Sequence, residues 1–159
     1  MAAAGEPVRA ALPTEAARVA HVMRAAFEQY RGALEPPSGA LATDAATVRE
    51  LMELGGILVC EADGRIVASV FHRTQPDHVY LGRLAVLPAF RGRGLAVRLV
   101  AAVESLAAAS DGREVRLGVR LAPPENREFF ERLGYREVGL DAHAGSPVPT
   151  FAWFKKPVG

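Results

Sequence analysis

The residues best placed to do chemistry are Arg91-Gly92-Arg93-Gly94. They follow an apolar run, Leu84-Ala85-Val86-Leu87, closed by Pro88. They precede Leu95, Ala96 and an Ala-rich segment that runs to about Ala109. Strand, glycine turn, helix is a geometry that leaves backbone N–H groups free at one spot. The first N–H groups of a helix have no intrahelical partner, and the helix dipole makes that end electropositive. The expected occupant is an anion such as a pyrophosphate. In that arrangement the N–H groups from about Arg91 to Ala96 form the nest. Gly94 allows a close backbone approach, Ala96 keeps the first helical turn slim, and Arg91 adds a charge-assisted bond. Arg93 is either a further contact or a solvated arginine.

Two familiar phosphate-binding turns fit poorly. A P-loop requires a Lys after its second glycine, and no Lys lies near. A dinucleotide-binding turn needs a third glycine where Val97 stands, and here Pro88 to Arg91 separate the strand from the glycines. The remaining reactive residue types are dispersed. His21, His72, His78, His143 and the single cysteine, Cys60, show no metal-ligand spacing. Cys60 lies mid-strand between Val59 and Glu61, as a structural thiol would.

The 159 residues suit one domain with a sizeable core. Nineteen basic and 18 acidic residues leave a formal charge of +1, which argues against broad nucleic-acid binding by the Arg-Gly-Arg-Gly turn. One cysteine permits no intrachain disulfide. The N-terminal residues carry no basic and apolar leader, and no apolar run is long enough to span a bilayer. The expected location is the cytoplasm, with no membrane partner.

The elements that must position the glycine turn follow from hydrophobic spacing. Residues 8–12 read as a strand. Thr14 is the expected cap of a helix with Val19, Val22, Met23, Ala26, Phe27 and Tyr30 on one face, stopped at Gly32. Thr43 or Asp44 caps a second helix carrying Val48, Leu51 and Met52. Residues 57–62 and 65–74 form a hairpin around Asp63-Gly64, with Ile66, Ala68 and Val70 alternating. A third strand covers 78–87. The helix after Gly94 carries Leu95, Leu99, Val103 and Leu106 as its stripe. Val115, Leu117, Val119 and Leu121 alternate as a strand. A short helix spans 125–133 and closes at Gly134. Strands at 135–140 and 150–155 finish the chain, with a loop at 141–149. The order is β-α-α-β-β-β-α-β-α-β-β, an antiparallel meander followed by a parallel crossover.

Leu84-x-Val86-x-Pro88-x-x-Arg91-Gly92-x-Gly94-x-Ala96 resembles the acetyl-CoA-binding motif of the Gcn5-related N-acetyltransferases, the GNAT superfamily. Its signature, Gln/Arg-x-x-Gly-x-Gly/Ala, is met by Arg91, Gly94 and Ala96. A second stretch, from Asn126 through Phe129-Phe130 to Leu133-Gly134-Tyr135, resembles the family's Asn-started helix that ends on an aromatic and then Leu-Gly-Phe/Tyr. The resemblance implies an α/β (α+β) fold over residues 1–159, with a mixed, mostly antiparallel sheet of about seven strands flanked by four helices. It implies acetyl-CoA as cosubstrate, with no metal. The cosubstrate is expected at Leu84, Ala85, Val86, Arg91, Gly92, Arg93, Gly94, Leu95, Ala96 and Asn126. The backbone N–H of Val86 is the expected oxyanion donor. The implied reaction is direct attack of a primary amine, on a small molecule or a peptide, within a ternary complex. A homodimer is a further expectation. The alternative is a CoA-binding sensor or structural domain without transfer.

The chain departs from the family where protons must move. A Tyr that acts as acid in many members is matched by Phe130. A Glu base is matched by Gly82. Candidates for the chemistry are then His143, Glu28 and Tyr135, with Tyr30, His72 or a water chain behind them. Tyr135 is otherwise a buried aromatic with a bonded hydroxyl, and Asn126 is otherwise a helix cap. Acceptor contacts are expected from Tyr30, Arg31, Ser38 and His143, on the two loops facing the turn. The identity of the amine and the length of the acyl group stay open.

Overall fold

In the computed structural model, residues 7–159 are described. The expectation that residues 1–6 carry no leader falls outside the described residues. The elements run β1 (Arg9–Ala10), α1 (Ala16–Phe27), α2 (Ala45–Leu54), β2 (Gly56–Ala62), β3 (Arg65–Thr74), β4 (Val79–Val86), α3 (Leu95–Ala108), β5 (Glu114–Arg120), α4 (Pro124–Arg132), β6 (Arg136–Asp141) and β7 (Phe151–Pro157). This is the order expected from the hydrophobic spacing. One seven-stranded sheet has the spatial order β1-β2-β3-β4-β5-β7-β6. Every pairing is antiparallel except β4 with β5, which α3 connects as a crossover. Among the described residues no helix is long and apolar enough to cross a membrane.

Helices cover both faces of the sheet. On one face, Leu95, Leu99, Val100, Val103 and Ala107 of α3 pack with Val67, Val70, Leu117, Phe130 and Phe154. On the other, Val19, Val22, Met23 and Ala26 of α1 and Val48 of α2 pack with Ile57, Val59, Ile66 and Phe71. The strand between the two layers therefore shows no alternation. Residues 66–71 of β3 are all buried, because each face has its own cover. The α3 stripe also differs from expectation at its end. Ala107 continues the 95-99-103 row, and Leu106, one residue off it, is exposed.

Two boundaries move, and one choice between two caps is decided, for local reasons. Thr14 does not cap α1. Pro13–Glu15 form a 3-10 turn, and Glu15 accepts the Leu12 N–H at 2.8 Å. Asp44, not Thr43, caps α2, accepting the Thr47 N–H at 2.8 Å. Thr43 is buried and bonded elsewhere. Helix α1 stops at Phe27 rather than Gly32, because a 3-10 turn, Glu28–Tyr30, takes over. The Asp63-Gly64 hairpin forms as expected, both residues having the positive φ that a two-residue hairpin turn requires.

Glu15 ties the first turn to the sheet edge. Arg9 donates to it at 2.8 and 2.9 Å and also binds Glu61 of β2. The Arg9 guanidinium, and secondly the Leu12 N–H, hold the Glu15 carboxyl at about 2, below its ordinary 4.5. A depressed carboxyl stabilises the fold fully above its unfolded value and loses that contribution as pH falls through the folded one. The acid limb of the stability curve should therefore fall between pH 4.5 and about 2. Glu15→Gln should flatten that part of the limb, which urea titrations at stepped pH will read out. Leu99 is fully buried between α3 and the sheet. Leu99→Ala should cost about 2–5 kcal/mol in the same assay.

Candidate functional site

Strands β4 and β5 pair only at Val79–Val115 and Tyr80–Arg116. Beyond that point β5 follows β7 along its whole length, and β4 follows β3. Strand β4 carries an extra residue here. Ser69 faces Ala85 and Phe71 faces Gly82, so Arg83 and Leu84 oppose Val70 alone. Such a bulge bends the strand and re-aims its side chains. Arg83 takes it up with a φ of 51°. A cleft of about 730 Å³ opens between the parted strands. Leu84, Ala85 and Val86 line one wall, and Gly118, Val119 and Arg120 line the other.

The backbone of β4 faces this cleft with unused donors. Leu87 gives its N–H to Val67 C=O at 2.9 Å. Ladder bonds alternate from residue to residue, so the Val86 N–H points to the opposite edge, into the gap. Immediately beyond, Gly92 and Gly94 adopt φ of 76° and 77°. Gly94 stands at the cap position of α3, where no side chain caps the helix. The first α3 ladder bond is Arg98 N–H to Gly94 C=O. The N–H groups of Leu95, Ala96 and Val97 therefore have no partner within the helix. A Cβ built on Gly92 or Gly94 meets nothing within 4 Å. A second hollow of about 350 Å³ lies here, lined by Val86, Phe90, Gly92, Gly94, Leu95 and Ala96. The donor set and the open space fit a pyrophosphate. Asn126 lines the main cleft. It does not cap α4, which begins two residues earlier at Pro124.

The two arginines of the turn have partners within the protein, and Arg91 also lines both hollows. Arg91 donates to the Ala26 carbonyl at 2.8 Å and to Gln29 Oε1 at 2.5 Å, both at the end of α1. Arg93 stacks over the Phe90 ring, 4.9 Å from its centroid.

Of the residues expected to meet an acceptor, Tyr30, Ser38 and His143 line the cleft. Arg31 does not. It is exposed and paired with Glu28 at 2.7 Å. Glu28 is thereby drawn away from the cleft as well, and the Arg31 bond holds its carboxyl below the usual range. His143 packs its ring edge on Phe151, with Nδ1 2.5 Å from Thr150 Oγ1. Burial, and then the charge of Arg120, push its pKa below the usual 6.5. Tyr135 is not brought to the cleft. Its hydroxyl donates to Glu104 Oε2 at 2.8 Å, and burial followed by that bond pushes its pKa far up. His72 lies at the far end of β3 against Gly56, and Cys60 is buried in the sheet with its thiol pushed up by burial.

Three side chains of the cleft had no motif to mark them: Tyr80, Arg83 and Arg120. The Tyr80 ring explains why residue 82 carries no base. A Cβ on Gly82 would fall 2.7 Å from Tyr80 Cε2. Burial raises the Tyr80 pKa, favouring the protonated phenol. Arg83 Nη1 donates to Thr43 Oγ1 at 2.7 Å. Arg120 donates to the carbonyls of Pro36 at 2.7 Å and Pro37 at 3.3 Å. No signal in the sequence set the two arginines apart from other strand residues.

Solved structures share this fold over nearly the whole chain. A GCN5-related N-acetyltransferase from Rhodopseudomonas palustris superposes with a TM-score of 0.78 at 23% identity, covering 99% of each chain. The PaiA N-acetyltransferase from Thermoplasma acidophilum, solved with coenzyme A, gives 0.77 at 16%, covering 94% of this chain and 97% of that one. The ribosomal-protein-S18-alanine N-acetyltransferase from Escherichia coli gives 0.76 at 16%, covering 96% and 93%. No curated sequence is similar enough to count as a relative. The sequence profile of the Acetyltransferase (GNAT) family matches residues 19–135, a span holding both glycine-turn motif and late helix, and the chain belongs to that family.

Proposed function

We propose that this protein transfers an acetyl group from acetyl-CoA to a primary amine by direct attack in a ternary complex. The observation that carries the reading is the continuity of the free Val86 edge of β4 with the uncapped N-terminus of α3. The unbonded N–H groups of Leu95 to Val97 bind the pyrophosphate. The open edge at Leu84 to Val86 takes the pantetheine arm as a strand would. The Val86 N–H donates to the thioester oxygen and stabilises the negative charge that develops there. The amine nitrogen forms the C–N bond, the C–S bond breaks, and the thiolate leaves. The amine proton passes to His143 or through water to solvent. In the tautomer whose Nδ1–H faces Thr150 Oγ1, His143 keeps a lone pair on Nε2 for this work. Phe130 cannot return a proton to the thiolate, so water or a cleft hydroxyl does so. The lone buried cysteine supports a reducing compartment, the cytoplasm.

Thiol release from acetyl-CoA with a panel of amines tests the reading. CoA binding without turnover on any amine would make the chain a CoA-binding domain instead. Gly94→Val should raise the CoA Kd about tenfold or more, since it pushes a side chain into the phosphate path and strains a positive φ. Gly64→Val carries the same strain in a distant hairpin and should leave CoA binding unchanged. Equal effects of the two variants would refute the cradle. As base, His143 is active when neutral, so kcat/KM should rise with pH through an inflection below 6.5. His143→Ala should remove that inflection. A profile unaltered by the substitution would exclude His143.

A further inference from the structure

The charge of the acceptor half of the cleft points to what binds there. The acidic side chain that lines the cleft is Glu125, on α4 at the donor side. Among the described residues no carboxylate lines the acceptor wall, from Tyr30 and Ser38 through Tyr80 to His143, although Glu35 lies near enough to Arg120, and Asp141 to His143, to act on them through charge. The wall holds Arg83 and Arg120 instead. Neither has an acidic partner within salt-bridge distance among the described residues. Both are fixed by neutral oxygens. Arg83 is held by the buried Thr43 hydroxyl, and Arg120 by the Pro36 and Pro37 carbonyls.

One loop brings the two cations together. Arg120 grips its carbonyls at residues 36 and 37. A Cβ on Gly39 would lie 3.4 Å from Arg83 Nη2. A guanidinium has five N–H donors. Arg83 spends one on Thr43, and Arg120 spends two on the loop. The positive φ of Arg83 adds weight to this placement. A non-glycine residue in that conformation costs about 1–3 kcal/mol, and such strain gathers at ligand sites.

Resting on the transfer reading above, we infer that the acceptor is an amine that also carries a carboxylate, bound by Arg83 and Arg120. A planar carboxylate matches the guanidinium fork and supplies the negative charge that the wall lacks. A polyamine or other polycation would meet two like charges, offset in part by Glu35 near Arg120. The same field also serves the chemistry. A nearby positive charge disfavours an ammonium and favours the neutral, nucleophilic amine. That eases deprotonation in a cleft that lacks a carboxylate base at residue 82.

Calorimetry on the CoA-saturated protein tests this without relying on turnover. The probes are a panel of N-acetyl amino acids and the corresponding C-terminal amides. The acids should bind about ten- to hundredfold more tightly than their amides, the range that a charge-assisted hydrogen bond provides. Arg83→Gln should collapse that ratio toward one, and Arg83→Lys should restore part of it. Melting temperature and CoA affinity report whether each variant is folded, and Arg120→Gln supplies an independent loss of cation at the same wall. Acids that bind no better than amides, or a ratio untouched in both Gln variants, overturn the inference. If amines are acetylated but amides or diamines are preferred, the inference falls while the transferase stands. If acids bind selectively and no amine is acetylated, transfer falls while the carboxylate site stands.

Discussion

The parting of β4 from β5 is the constraint on which the rest of the molecule depends. Two adjacent parallel strands normally satisfy each other's backbone groups along their shared length. Here they do so at only two positions, and each then follows a different antiparallel neighbour. Unmade ladder bonds are costly when buried and tolerable when a ligand or solvent can reach them. The gap is therefore a site by construction. It exposes main-chain donors of β4 at a place where two helical layers already provide walls. The bulge at Arg83 and Leu84 is the local device that turns β4 away.

The crossover helix completes the site from the other side. Helix α3 must start where β4 ends, because Pro88 to Gly94 is too short to carry the chain elsewhere. Its free N–H groups and its positive dipole end then fall beside the open strand edge. Arg91 binds this turn to the last carbonyls of α1, placing a cation at a helix C-terminus, where the dipole favours it. The sequence marks Arg91 as an anion ligand, and only the fold shows that the Ala26 carbonyl and Gln29 are also within its reach.

The acceptor wall obeys a different logic. Its lining holds no carboxylate among the described residues, burial and then Arg120 lower the pKa of His143, and burial raises that of Tyr80. Gly82 belongs to the same logic. The glycine makes room for the Tyr80 ring, which fills the place where a side chain at 82 would stand.

Much of this was legible in the chain itself. Element order, the hairpin at Asp63-Gly64 and the cradle at Gly92 and Gly94 follow from local rules of period, turn chemistry and helix termini, which act over a few residues. The cleft lining at Leu84, Val86, Ala96 and Asn126 came from the same motifs. What only the tertiary structure decided depends on distant partners. Glu28 pairs with Arg31 outside the cleft, Tyr135 turns to Glu104 on α3, and Thr43 leaves helix capping to hold Arg83 across 40 residues. Nothing in the sequence set Arg83 and Arg120 apart from other strand residues, and only the fold puts both on the lining of one cleft, each bonded near the 36–43 loop. Backbone chemistry is written locally because its donors come with every residue. Side-chain chemistry is written in pairs, and the fold chooses the partners.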